Sequence, residues 1–329
     1  MIVTRTPFRI SFAGGGSDLP SFYSKEPGSV LSTTIDKYMY IVVHPFFNKK
    51  KIQLKYTKTE LVDHISDIQH PIFREVLSMY DLKGVDVNSI ADIPAGTGMG
   101  SSSSFTVGLI NAVRAYVGKY SSAEKLASLA CETEIGRVGS PIGKQDQYAA
   151  AYGGFNYITF YPDESVKVEK VLLSNSLKKQ LEESLILIHI GGRHSANEIL
   201  QDQQTAISDA KKLDTQRKMV KLAEDLRKTL QKGNIEDFGM FLHEGWEMKR
   251  SLVSSISNNE IDDIYCQGLK AGALGGKLLG AGGAGFLLFY CPKEKQDCFR
   301  HEMHNFMELE FKFDQFGSQV VYVGDKFTQ

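Results

Sequence analysis

The chain has 329 residues, and its 38 Lys+Arg against 39 Asp+Glu leave a formal net charge of -1. That balance argues against DNA, RNA or an anionic membrane as the main partner, and no apolar run approaches the ~20 residues of a membrane helix. With 42% hydrophobic and 23% charged residues, the composition is that of a soluble globular protein of about two domains. Arg5 and Arg9 interrupt the apolar stretch before Gly14, which speaks against a signal peptide. Cys131, Cys266, Cys291 and Cys298 form no C-x-x-C and no zinc spacing, the pattern of reduced thiols in a cytoplasmic protein.

Apolar alternation predicts a strand over 2–13, running into the turn Gly14-Gly15-Gly16-Ser17-Asp18. β-branched and aromatic residues predict strands over 29–47 and 50–56, a helix follows over 72–79, and another strand spans 85–90. Helices are expected over 102–117 and 123–136, the second opened by a capping box of Ser121 and Glu124. Strands over 153–160 and 185–190 precede a long polar helix over 195–232 that stops at Gly233-Asn234. Helices over 235–254 and 260–273, a strand over 285–290, a helix over 293–308 and a strand over 319–323 complete the chain. Strands and helices do not alternate regularly, which indicates an α+β architecture, not a doubly wound sheet. Pro162-Asp163-Glu164-Ser165 and the charged stretch after it suggest a boundary near 165–180, dividing the chain into 1–170 and 171–329.

The most informative stretch is Pro94-Ala95-Gly96-Thr97-Gly98-Met99-Gly100-Ser101-Ser102-Ser103-Ser104, between a predicted strand and an apolar helix. Glycines let backbone N–H groups approach a ligand, and the helix start adds partial positive charge. Serine hydroxyls can bond phosphate oxygens or magnesium. Gly96, Gly98, Gly100, Ser101, Ser102 and Ser103 are therefore the candidate phosphate-binding residues. No G-x-x-x-x-G-K-[ST], H-R-D or D-F-G pattern accompanies them. Gly280-Ala281-Gly282-Gly283-Ala284-Gly285 matches a dinucleotide fingerprint by letters, but it is expected to follow a helix and precede a strand, the wrong order for one.

Three segments in order resemble the GHMP kinase superfamily: Pro7 to Asp18, the Gly/Ser loop, and Lys277 to Gly285. The acidic segment from Glu132 to Gln147 between them matches as well. The resemblance implies a two-domain fold, S5-like in its N-terminal half and ferredoxin-like in its C-terminal half, with ATP in the cleft between. It implies Asp146 as the catalytic base, Arg9 beside the transferred phosphate, and Ser102 with Glu134 as ligands of Mg2+. It also implies substrate contacts at Asp18, Gly15 and Gly16, with Gly280, Gly282 and Gly283 in the third glycine motif. Gly15 and Gly16 stand where galactokinases carry an acidic residue and a histidine, leaving room for a different or larger sugar.

Phe8 to Pro20 and Gly191-Gly192-Arg193-His194-Ser195-Ala196 resemble the branch that holds bacterial heptose 7-phosphate kinases and fucokinase-type sugar 1-kinases. The implied reaction is ATP plus D-glycero-D-manno-heptose 7-phosphate giving the 1,7-bisphosphate, a step toward nucleotide-activated heptose. A sugar phosphate needs a cation away from the ATP γ-phosphate, and Arg193 is the first candidate, ahead of Arg137 and Lys144. Competing readings are a fucokinase-type enzyme on an unphosphorylated sugar, a non-catalytic sugar or nucleotide sensor, and a decarboxylase, whose first motif fits poorly. The expected partners are ATP and the sugar phosphate, with no nucleic acid and no membrane; a homodimer stays open. Trp246 is expected in the core, and the histidines show no ligand spacing.

Overall fold

The computed structural model describes residues 1–192 and 196–324. Its two longest strands, Ile2–Ala13 and Gly28–Pro45, pair antiparallel from Ile2 opposite Val43 to Ala13 opposite Leu31. Their register shifts after Pro7 and after Ser11, on either side of Arg9; such bulges re-aim side chains near functional sites. Among the described residues nine strands form this sheet. Val85–Ala91 joins the far side of Gly28–Pro45, then Ile52–Lys55 in parallel, then Thr59–Val62 at the edge. Asn156–Phe160 pairs with the start of Gly28–Pro45, and Val166–Lys170 with Asn156–Phe160. A second sheet of four runs Met307–Glu308, Leu185–Gly191, Gly285–Tyr290, Gly275–Leu278.

The chain then returns to the first sheet. Phe313–Asp314 pairs with Gly28–Pro45, and Gln319–Val323 pairs with Ile2–Ala13. Helix Ser101–Tyr116 buries Val107, Leu109, Ile110, Ala112 and Val113 and packs on both long strands. Helix Ala210–Gln231 packs on the same strands, so Leu222, Leu226 and Leu230 share one core with Phe8, Ile10 and Ile41. A second core surrounds Trp246, Tyr265, Phe289 and Phe299 beside the smaller sheet.

Mixed sheets and helices of the expected α+β class are present, with local differences. The helix expected over 195–232 is two, Ala196–Ala206 and Ala210–Gln231. Asp209 breaks it by accepting from the N–H groups of Lys211 and Lys212, a side-chain cap that competes with helix continuation. The cap of helix Ala123–Cys131 is Ser122, which accepts from Lys125 N–H, whereas Ser121 Oγ receives the Arg114 Nε proton. The segment expected as helix to 308 ends at Glu302, because Met307–Glu308 is drawn onto the edge of the smaller sheet. The third glycine motif follows strand Gly275–Leu278, not a helix, and forms the loop of an antiparallel hairpin.

Candidate active site

A cavity of about 320 Å³ opens where the two glycine loops meet. In the first loop Gly96, Gly98 and Gly100 adopt φ of +80°, +79° and +74°, a region that L side chains rarely enter. Gly100 caps helix Ser101–Tyr116, whose first turn presents Ser101, Ser102 and Ser103 to the cavity. A Cβ on Gly280 would lie 2.4 Å from Gly98 Cα, and one on Gly285 would lie 2.4 Å from the Thr97 carbonyl oxygen. The two loops thus touch backbone to backbone. Gly283 N–H donates to the Ile256 carbonyl at 2.9 Å, which pins the far end of the third motif. Gly280 and Gly282 line the cavity; Gly283 serves the pin.

Arg9 lies at the centre, almost fully buried. Its Nε and Nη2 donate to Asp146 Oδ1 and Oδ2 at 2.7 and 2.8 Å, and Nη1 donates to the Gly98 carbonyl at 2.5 Å. Such a two-pronged guanidinium–carboxylate contact fixes both partners in one plane. Asp146 sits in the first turn of helix Gln145–Tyr152. Gln145 orients it from the side: Nε2 donates to Asp146 Oδ1 at 2.9 Å, while Gln145 Oε1 accepts from Ser11 Oγ at 2.8 Å. Asp18 accepts from Gly16 N–H at 3.0 Å and from Gln145 N–H at 3.2 Å. Burial, then the nearby Asp146, raises the Asp18 carboxyl above its ordinary range. Gly143 is required there, since a Cβ would fall 2.0 Å from Asp18 Oδ2. Gly15 and Gly16 border the same space, and a Cβ on Gly16 would meet Gln216 Oε1 at 2.8 Å.

Glu134 lies behind the serines, 1% exposed. It accepts from Ser102 Oγ at 2.6 Å, Ser103 Oγ at 2.8 Å and Gln147 Nε2 at 2.7 Å. Burial raises its carboxyl against the opposing effect of those bonds. Two lysines that the motifs did not single out also border the cavity, Lys249 from helix Phe238–Arg250 and Lys277 from strand Gly275–Leu278. Lys277 opens the third motif, so its position was visible, but only the fold turns it toward Arg9. Lys249 belongs to no motif, and spacing alone could not have found it. Of the cations considered for a sugar phosphate, Arg193 lies outside the described residues. Arg137 pairs with Glu132 at the surface, and Lys144 donates to Glu164 and stacks over the Tyr23 ring. Neither borders the cavity.

Two family models match this chain, "GHMP kinases N terminal domain" over residues 66–154 and "GHMP kinases C terminal" over 226–308. The chain belongs to the GHMP kinases. The first match carries the Gly/Ser loop, Glu134 and Asp146; the second carries Lys249, Lys277 and the third glycine motif. Among curated relatives, the D-glycero-alpha-D-manno-heptose 7-phosphate kinase of Campylobacter jejuni is 29% identical over 90% of this chain and 91% of its own. The bifunctional fucokinase/GDP-fucose pyrophosphorylase of Arabidopsis thaliana is 25% identical over 93% of this chain, which spans only 31% of that protein. A solved structure described as a D-glycero-D-manno-heptose 1-phosphate kinase from Bacteroides thetaiotaomicron superposes with a TM-score of 0.81. It is 26% identical, covering 99% of this chain and all of that one. This GHMP kinase is an ATP-dependent sugar kinase, a phosphotransferase. No helix among its described residues is long and apolar enough to cross a membrane.

Proposed function

We propose that this kinase phosphorylates the anomeric hydroxyl of D-glycero-D-manno-heptose 7-phosphate, using cytoplasmic ATP. The observation that carries the chemistry is the continuous unit Asp146–Arg9–Gly98, which ties a carboxylate, a cation and the glycine loop together. The sugar hydroxyl attacks the γ-phosphorus, its proton passes to an Asp146 carboxylate oxygen, and the bond to the ADP oxygen breaks. Arg9 offsets the negative charge that builds on the transferring group, a stabilisation that pre-placed dipoles and cations supply without reorganisation. The loop 96–103 receives the nucleotide phosphates.

The relatives named for heptose phosphates support the acceptor. Asp18 would bond sugar hydroxyls, because its two hydrogen bonds leave lone pairs free, and Gly15 and Gly16 keep the wall low. Arg193 is proposed for the 7-phosphate; Asn197 and Leu200, soon after it in the chain, border the cavity. The residues present also fit Mg2+. Glu134 is a buried carboxylate without an ion pair among the described residues, and its Oε1 accepts from Ser102 Oγ. Magnesium typically takes one or two protein oxygens and completes its shell with water and phosphate. Bound there, it would neutralise charge on the nucleotide phosphates.

ADP release measured side by side with heptose 7-phosphate, free heptose, fucose and galactose tests the acceptor. The highest kcat/KM is expected for heptose 7-phosphate. A preference for fucose would replace this reading with the fucokinase type, and ATP binding without ADP release on any sugar would replace it with a sensor.

A further inference from the structure

Lys249 and Lys277 are each only 7% exposed, yet neither has an ion pair among the described residues. Lys249 Nζ donates to the Gly280 carbonyl, and Lys277 Nζ donates to the Phe12 carbonyl at 3.0 Å. Each ammonium group has three protons to place. Buried charges ordinarily carry a counter-ion or a ligand. The charges that act on Lys249 are those of Arg9, Asp18 and Asp146; those that act on Lys277 are Lys249 and Arg9. Asp146 already matches Arg9, and Asp18 is held by backbone N–H groups. The seam between the two glycine loops therefore gathers two buried basic side chains without a carboxylate partner among the described residues, both bordering the cavity. We propose that Lys249 and Lys277 form a second cationic clamp, opposite Arg9, that receives the terminal phosphate of the nucleotide as it is transferred.

The clamp rests on the reading of the site as a sugar kinase, and it adds two residues to the reacting centre. Geometry favours the terminal phosphate over the acceptor's own. Arg9 and Lys249 donate to the carbonyls of Gly98 and Gly280, the two glycines that touch across the seam. A 7-phosphate lies at the opposite end of the sugar from the anomeric hydroxyl. Burial, with Arg9 next in effect, lowers Lys249 to about 8, and Lys277 lies well below the ordinary lysine range. An anion between them would reverse both trends.

Calorimetric titration of Mg–ATP and Mg–ADP into the parent, Lys249→Met, Lys277→Met and Lys249→Arg is the test. Each Met variant should lose roughly 10- to 100-fold in ATP affinity, the scale of a charge-assisted bond, with ADP affinity nearly unchanged. Lys249→Arg should retain most of the ATP preference. Equal weakening of both nucleotides would mean that the lysines only seat the loops, and overturns the clamp. Unchanged ATP binding with weakened heptose 7-phosphate binding would give the anion to the acceptor and also overturns it. Should a Met variant not fold, the parent's ATP-over-ADP preference is followed from pH 7 to ~9.5 across the lowered lysine range. A decline supports the clamp, and a flat profile overturns it. A parent that binds neither nucleotide would defeat the kinase reading itself, a result distinct from all of these.

Discussion

The two walls of the cavity are chemically opposite. The wall built from residues 9–147 carries Asp18 and Asp146, with Glu134 behind its serines, and each accepts two or more hydrogen bonds from groups of the same wall. The wall built from 249–285 carries Lys249 and Lys277, whose ammonium groups, among the described residues, donate to carbonyl oxygens only. Among the described residues, the charges of the first wall meet donors from within the protein, whereas the ammonium groups of the second meet no carboxylate. An acid-bearing face held by its own hydrogen bonds suits the proposed base, which must meet one hydroxyl in one geometry, whereas a cationic face without counter-ions suits a group that arrives, changes charge and leaves. The halves meet at Gly98 and Gly280, so the spacing between the faces is set by two residues without side chains.

The largest expected effect belongs to the acid wall. Asp146→Asn should lower kcat by roughly 10²- to 10⁴-fold, the usual contribution of general base catalysis, with ATP affinity close to the parent's. Steady-state kinetics and nucleotide titration check both halves of that statement. Unchanged turnover would remove Asp146 from the chemistry and leave the contrast between the walls without a function.

The seam comes next. Gly280→Ala would place a Cβ 2.4 Å from Gly98 Cα at φ +75°, and neither atom belongs to a flexible side chain. Separating the loops should cost on the order of 1–3 kcal/mol, read as a lower melting temperature together with lost activity. Gly96→Ala is the control: φ is +80°, but nothing lies within 4 Å, so it should keep more stability and more activity. Equal damage at both positions would mean that backbone conformation alone, not loop contact, governs the site.

Ser102→Ala and Glu134→Gln should act more mildly, each raising the magnesium concentration needed for half-maximal rate by about tenfold, since the first removes one proposed protein oxygen and the second removes the charge of the other. A magnesium dependence like the parent's in both variants would assign the Ser102–Glu134 contact to packing alone.

The readable and unreadable parts of the sequence divide along the same walls. Strands Ile2–Ala13, Gly285–Tyr290 and Gln319–Val323 match their expected bounds because apolar patterning and flanking glycines mark them locally. Strand Val166–Lys170 and helix Asn175–Ser184 were not anticipated; charge and sparse apolar residues hide elements that lean on a neighbour for stability. Arg9, Asp18, Ser102, Glu134 and Asp146 were legible because they lie in motifs, and the fold brings them together. Lys249 was not, since a lysine in a polar helix resembles any solvated one until burial is known.

Gln145 lies inside the acidic segment, but only the fold shows its role, and it offers the smallest effect. Its amide bridges Ser11 on strand Ile2–Ala13 to Asp146, and its N–H reaches Asp18, so one residue sets the distance between the proposed base and the proposed sugar contact. Gln145→Met keeps the length and the backbone N–H but removes the side-chain donor and acceptor. Asp146 retains both Arg9 bonds, which are the stronger charge-assisted ones. What is lost is one bond from a neutral amide to the carboxylate, about 1.5–3 kcal/mol, together with some orientational restraint on the carboxylate. The expected outcome is a several-fold drop in kcat, with the KM for ATP unchanged. A drop as large as that of Asp146→Asn would show that Arg9 alone does not hold the base, and that the acid wall is less complete than its hydrogen bonds indicate.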